Sequence, residues 1–239
     1  LANTYFQFKA FRVDQEDCAM KVCTEACLFG AWLAEEFRGK DMESALDIGT
    51  GTGLLSLMLA QETTIAKLDA IELDEPAAKQ AKVNFETSPW GARLQVFQGD
   101  ALRYSFPRGY SLVFSNPPFF EQSLLSPDAR LNQAKHESSL DISSLLQLAE
   151  ELTTDNGYFA ILLPYQRAES LLAKIATSNF QLYMRMNVCQ TEKHASFRSF
   201  CLFRKNTPCN VNESTICIRE NGNYSAAFSR LLQPFYLYL

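Results

Sequence analysis

Short apolar runs alternate along this chain with longer segments whose apolar positions recur every three or four residues. The first pattern marks strands buried on both faces, and the second marks helices with one face turned inward. Read this way, residues 44–48, 67–72, 94–98, 111–115, 157–163, 180–188 and 196–203 are strands. Helices fall at 19–37, 54–61, 75–86, 140–152 and 168–177. In the first helix Thr24 is a candidate cap, with Trp32, Leu33 and Phe37 on the apolar face; Pro76 opens the third in its first turn. Strands that alternate with helices imply a mostly parallel sheet covered by helices. The last two strands have no helix between them and are expected to pair antiparallel at one edge. The expected fold is therefore one α/β domain, a Rossmann-like seven-stranded sheet over residues 44–204, with 1–43 and 205–239 as appendages.

Composition narrows the setting without naming a function. Of 239 residues 47% are hydrophobic and 21% charged, as in ordinary globular proteins. No apolar run is long enough for a membrane helix, and the first residues lack a signal-peptide hydrophobic stretch, so the expected location is the cytoplasm. Seven cysteines, an odd count, read as reduced thiols. Cys18, Cys23 and Cys27 form no CxxC pair, and the two histidines, His136 and His194, stand apart, so no metal site is expected. The net charge of −5 is unevenly spread: residues 1–155 sum to −10 and residues 156–239 to +5. A basic C-terminal third on an acidic body is compatible with a polyanion-facing edge.

Chemistry concentrates in two motifs. Asp47-Ile48-Gly49-Thr50-Gly51-Thr52-Gly53 ends a strand and opens a helix, with glycines at alternate positions that allow tight turning and close backbone approach to a ligand. The dinucleotide template needs a third glycine where this chain has Leu54, so that reading fails. The loop suits S-adenosyl-L-methionine better. Glu72, 19 positions beyond Gly53 at the end of the next strand, is placed to accept from ribose hydroxyls. Its neighbour Asp74 is better read as a helix cap. Asp100, after the third strand, is placed to accept from the adenine amino group.

The second motif is Asn116-Pro117-Pro118-Phe119. An amide nitrogen or an exocyclic amine gives its lone pair to the neighbouring π-system and is a poor nucleophile. The Asn116 side-chain oxygen and the Pro117 carbonyl would accept both of its hydrogens and draw it toward tetrahedral geometry. Phe119 offers a face for a base to stack on, worth roughly 1–3 kcal/mol. Positioning then does most of the catalysis.

Over nearly the whole chain the residues resemble the bacterial tRNA1(Val) adenine-N6 methyltransferase family. The likeness runs through Phe8-Lys9-Ala10-Phe11, Cys18–Val22, Leu28–Trp32, the Asp47–Gly53 loop, Ser88-Pro89-Trp90, Ser115–Phe119, Asn223-Tyr224-Ser225 and Phe235-Tyr236-Leu237. The resemblance implies a class I methyltransferase fold, S-adenosyl-L-methionine as cofactor, and methylation of N6 of adenosine 37 in a tRNA anticodon loop. It also implies cofactor roles for Lys21 and Thr24. Where that family usually shows Lys-Val-Gly-Thr-Asp-Gly, this chain has Lys21-Val22-Cys23-Thr24-Glu25-Ala26, and Phe119 stands where tyrosine is commoner. Arg130 and Lys135, with His136, and the basic residues Arg185, Lys193, Arg198 and Arg204, with His194 and Lys205, are the expected tRNA contacts. Other readings of the same motifs are a protein glutamine-amide methyltransferase, a DNA adenine methyltransferase and an inactive RNA-binding scaffold. Only 46 residues precede Asp47, short of the helical domain expected of the first, and a target-recognition insertion expected of the second is absent.

Overall fold

A computed structural model describes residues 3–118 and 141–239. The chain starts with a hairpin, β1 (Tyr5–Gln7) against β2 (Arg12–Asp14), followed by helix α1 (Thr24–Phe37). Strands and helices then alternate: β3 (Ser44–Ile48), α2 (Leu54–Glu62), β4 (Lys67–Glu72), α3 (Glu75–Glu86), β5 (Leu94–Gln98) and β6 (Tyr110–Ser115). After these come α4 (Ile142–Leu152), β7 (Thr153–Pro164), α5 (Tyr165–Ile175), β8 (Phe180–Cys189), β9 (Arg198–Lys205) and β10 (Asn212–Cys217). A short ribbon, β11 (Arg219–Glu220) with β12 (Asn223–Tyr224), leads into α6 (Ala226–Leu232).

One sheet runs through the molecule in the order β10-β8-β9-β7-β6-β3-β4-β5. Only β9 runs against its neighbours; every other pairing in it is parallel. Alternation along the strands divides the core between two faces. In β7, Ala160 and Leu162 join α1 and α2, while Phe159, Ile161 and Leu163 join α4 and α5. The appendages complete the first face, with Phe8, Phe11 and Val13 from the start of the chain and Phe228, Leu231, Leu232 and Phe235 from its end. They also meet each other, since the Lys9 amide donates to Phe235 O at 2.8 Å.

Three expectations need correction. The sheet has eight strands, not seven, because β10 pairs parallel with β8. The antiparallel pair β8–β9 therefore lies inside the sheet. β10 is polar and exposed over Asn212–Thr215, and what makes it a strand is ladder bonding along the otherwise open edge of β8. The first helix starts at Thr24 rather than at residue 19, and Thr24 is its first residue, not its cap. Cys23 holds the cap position and makes no side-chain cap bond. Residues before it are held in a turn: the Val22 amide donates to Gln15 Oε1 at 2.7 Å, and the Lys21 ammonium donates to the Gln15 and Glu16 carbonyls. Among the described residues no helix is long and apolar enough to cross a membrane.

Candidate active site

The carboxyl ends of β3, β4, β5 and β6 line up, with Ile48 opposite Ile71 and Ser115, and Glu72 opposite Gln98. This is the end at which open α/β sheets bind ligands. Asp47 arrives there fully buried. Its Oδ2 accepts from Thr50 Oγ1 at 2.7 Å and Ser56 Oγ at 2.9 Å, and its Oδ1 has no partner. Burial drives the carboxyl pKa up to about 7; the two hydroxyl donors pull it down, and the charge of Glu72 adds to the rise.

All three loop glycines have left-handed backbones, with φ of 71°, 55° and 82° at Gly49, Gly51 and Gly53. Gly53 has no room for more: a Cβ there would stand 2.5 Å from the Phe85 ring. At Gly49 and Gly51 a Cβ would meet nothing within 4 Å, so these two border open space. Glu72 closes the loop from β4. Its Oε2 accepts from the Gly51 amide at 2.8 Å and its Oε1 from the Asp74 amide at 3.0 Å. Asp74 caps α3, accepting from the Ala77 amide at 3.1 Å. Asp100 accepts from the Leu102 amide at 3.0 Å and lies 3.4 Å from Arg103 Nε.

Asn116 follows β6 directly. Ser115 Oγ donates to Ile48 O at 2.7 Å and fastens the end of β6 to that of β3. The Asn116 Oδ1 atom is buried without a hydrogen-bond partner, and Pro117 beside it is buried. Asp47, Gly49, Gly51, Glu72 and Asn116 are thus brought to the ends of three adjacent strands. Phe119, Arg130, Lys135 and His136 lie outside the described residues. Sequence reading passed over Thr50, Ser56 and Ser115; hydroxyls within ten positions of a buried acid are the signal that marks the first two.

The basic residues divide by position. Register places Arg198 opposite Pro164 and Val188, at the same sheet end as Asn116, with its guanidinium 3.8 Å from Glu25. Lys193 and His194 are exposed in the loop just before it, where the His194 ring pairs with Thr191 Oγ1 at 2.7 Å. Arg204 lies opposite Tyr158 and Gln181, six residues along β9 and so about 20 Å toward the other end. Its guanidinium covers the Tyr158 ring at 5.3 Å. Lys205 donates to the Glu150 and Thr153 carbonyls. Arg185 is buried, paired with Glu169 at 2.5 Å and Ser199 Oγ at 3.3 Å, and packed over Tyr165. Arg204 and Lys205 thus lie toward the sheet end opposite Asn116, whereas Arg185 is level with Ser115 in register but buried. Arg185→Ala is expected to cost about 2 kcal/mol in urea unfolding, from lost charge-assisted hydrogen bonds, without changing the salt dependence of RNA binding. An altered salt slope in filter binding would return Arg185 to the RNA surface.

The N-terminal candidates lie in the segment before α1 and in its first turn. The Lys21 ammonium is held by backbone carbonyls of its own segment, and Thr24 is exposed on the first turn of α1. All seven cysteines are free, and Cys18, Cys27, Cys189 and Cys201 are buried. Among the described residues no group of three or more His, Cys, Asp or Glu side chains is placed to hold a metal ion.

Comparison with known proteins agrees with this fold. Residues 29–137 match the family model of the methyltransferase small domain. A predicted O-methyltransferase from Agrobacterium tumefaciens has the same fold, with a TM-score of 0.66 at 15% identity over 87% of this chain and 95% of that one. Sequence likeness is much closer to the tRNA1(Val) (adenine(37)-N6)-methyltransferase of Dyadobacter fermentans, 38% identical over 98% of both chains. The protein of the same name from Tolumonas auensis is 39% identical over 97% of this chain and 96% of its own. At 38–39% identity to these relatives over nearly its whole length, the chain belongs to the tRNA1(Val) (adenine(37)-N6)-methyltransferase family.

Proposed function

We propose that this protein is a cytoplasmic enzyme that transfers a methyl group from S-adenosylmethionine to the exocyclic N6 of adenosine 37 in tRNA1(Val). The observation that carries the reading is the buried Asn116 Oδ1 without a partner, set at the strand end beside the glycine loop. A buried acceptor left unpaired costs about 1–3 kcal/mol unless a ligand completes it. The near full-length likeness to relatives named for this activity supports the choice of substrate.

The residues fit the cofactor. Gly49 and Gly51 leave open space where side chains would stand, and Glu72 offers a carboxylate at the next strand end. Glu72 would take the ribose hydroxyls, Asp100 the adenine amino group, and Asp47 would hold the loop in shape through Thr50 and Ser56. When bound, S-adenosylmethionine supplies an electrophilic methyl group on a sulfonium centre. Asn116 Oδ1 and the Pro117 carbonyl accept the two N6 hydrogens and aim the nitrogen lone pair. Neither is a base able to take a proton from the neutral amine; N6 would become cationic as its bond to the methyl carbon replaced the carbon–sulfur bond, and would then lose its proton to water. The target adenine reaches this turn by leaving the anticodon-loop stack, at a cost of a few kcal/mol. Lys193 and Arg198, at the same end of the sheet, are the described cations best placed for the RNA backbone.

Labelled S-adenosylmethionine offered with total tRNA, duplex DNA or a release-factor protein tests this directly. N6-methyladenosine in tRNA alone is the expected product. Label in protein moves the assignment to amide methylation, and label in DNA to a DNA adenine enzyme.

A further inference from the structure

Near its C-terminal end, helix α3 carries a buried amide that three parts of the chain share. Asn84 is 1% exposed. Its Nδ2 donates to Thr52 O in the glycine loop at 2.9 Å and to Asp14 O at 2.8 Å, while its Oδ1 accepts from the Asp14 amide at 3.0 Å. With Asp14 the side chain therefore pairs as one peptide unit pairs with another, and both of its donor hydrogens are used. The next residue, Phe85, puts its ring against Gly53. One dipeptide of α3 thus grips the glycine loop at Thr52 and Gly53 and the N-terminal segment at Asp14.

The segment after Asp14 lies within electrostatic reach of the same site. Gln15 and Lys21 fold residues 15–22 into a turn through bonds to the Val22 amide and to the Gln15 and Glu16 carbonyls. That turn brings buried Cys18 within the field of Glu72, whose charge, after burial, does most to raise the thiol to about 11. None of the hydrogen bonds of Asn84 goes to Glu72, Gly49 or Gly51. Its three partners are all backbone groups of segments that border the site.

We infer that Asn84 is a positioning residue that couples the N-terminal segment to the glycine loop, so that the two order together and cofactor affinity depends on a side chain remote from the cofactor. The inference rests on the reading of the loop as the S-adenosylmethionine site. Alanine at this position removes all three bonds and leaves Thr52 O and both backbone groups of Asp14 without their partner.

Two measurements test the coupling. In the wild-type protein, hydrogen exchange is followed with and without S-adenosylhomocysteine; bound ligand is expected to slow residues 12–22 together with residues 49–53. For Asn84→Ala, the affinity for S-adenosylhomocysteine and the KM for S-adenosylmethionine are expected to weaken roughly 10- to 100-fold. Its kcat at saturating cofactor and its KM for tRNA should stay within about threefold of wild type. A folded Asn84→Ala protein that binds as tightly as wild type overturns the inference, as does exchange at 12–22 that ignores the ligand. The second result needs no variant, so it decides even where Asn84→Ala fails to fold. Wild-type protein that takes up no S-adenosylhomocysteine overturns the cofactor reading itself, and the coupling with it.

Discussion

Asn116→Ala is expected to lower kcat for tRNA methylation by about 100- to 1,000-fold, the scale seen when one preorganised polar group is removed from a transition-state site. Affinity for S-adenosylhomocysteine should stay within about threefold, because the cofactor candidates Gly49, Gly51 and Glu72 are held by bonds that do not involve Asn116. Its Oδ1 forms no internal hydrogen bond, so truncation breaks none made by that atom. The end of β6 stays fastened through Ser115 Oγ to Ile48 O. Little loss of thermal stability is therefore expected, which separates this variant from one that merely unfolds. The rate effect should appear equally in kcat and kcat/KM in single-turnover assays, since the hydrogen bonds gain strength as positive charge develops on N6. A variant with normal kcat and only a raised KM for tRNA would make Asn116 a docking residue and move the chemistry elsewhere.

The fold was legible where burial on two faces leaves a continuous apolar run. β3 and β6 read clearly because Ala45, Leu46, Leu112 and Val113 have no solvent side on which to place polar residues. β10 was not legible. Asn212–Thr215 look like a surface loop, and a strand forms there because β8 offers it a ladder, information held in another part of the chain. The start of α1 was misread for a similar reason. Residues 19–23 suit a helix locally, yet Gln15 Oε1 takes the Val22 amide and the Lys21 ammonium reaches back to the Gln15 and Glu16 carbonyls, which holds the segment in a turn.

The site shows the same division. That Asp47, the glycines, Glu72 and Asn116 gather at adjacent strand ends could be read, because each sits in a short motif at the end of a legible strand. Arg185 and Arg204 could not be placed by charge alone. Composition does not tell which end of a strand a residue occupies, or that Glu169 on α5 will take Arg185 out of water. Asn84 carried no sequence signal, since its partners lie 32 and 70 positions away. Local chemistry was readable, and long-range polar pairing was not.

Asp47→Asn is expected to make the free protein more stable above neutral pH while weakening its hold on the cofactor. The reason is a carboxylate buried with one oxygen unpaired. Its folded-state pKa of about 7 lies above the unfolded value near 3.9, so the folded state binds the proton more tightly. The resulting stability is fully present below about pH 4, declines as pH rises through the interval to about 7, and is gone above it. A shift of about three units corresponds to about 4 kcal/mol, offset in the variant by about 1–3 kcal/mol for a buried amide hydrogen pair without an acceptor. Asparagine keeps an oxygen for Thr50 and Ser56 and removes the charge. A melting temperature higher by a few degrees at pH 8, with the gain absent at pH 5, is the expected result. Cofactor binding supplies the opposite sign. A cationic ligand beside the loop favours the ionised acid, so wild-type affinity for S-adenosylmethionine should strengthen as pH rises through about 7, and Asp47→Asn should flatten that rise. Calorimetric titrations at pH 6 and pH 8 on both proteins measure it. Equal pH dependence in the two would mean that the Asp47 charge never meets the ligand, leaving the residue only its bonds to Thr50 and Ser56.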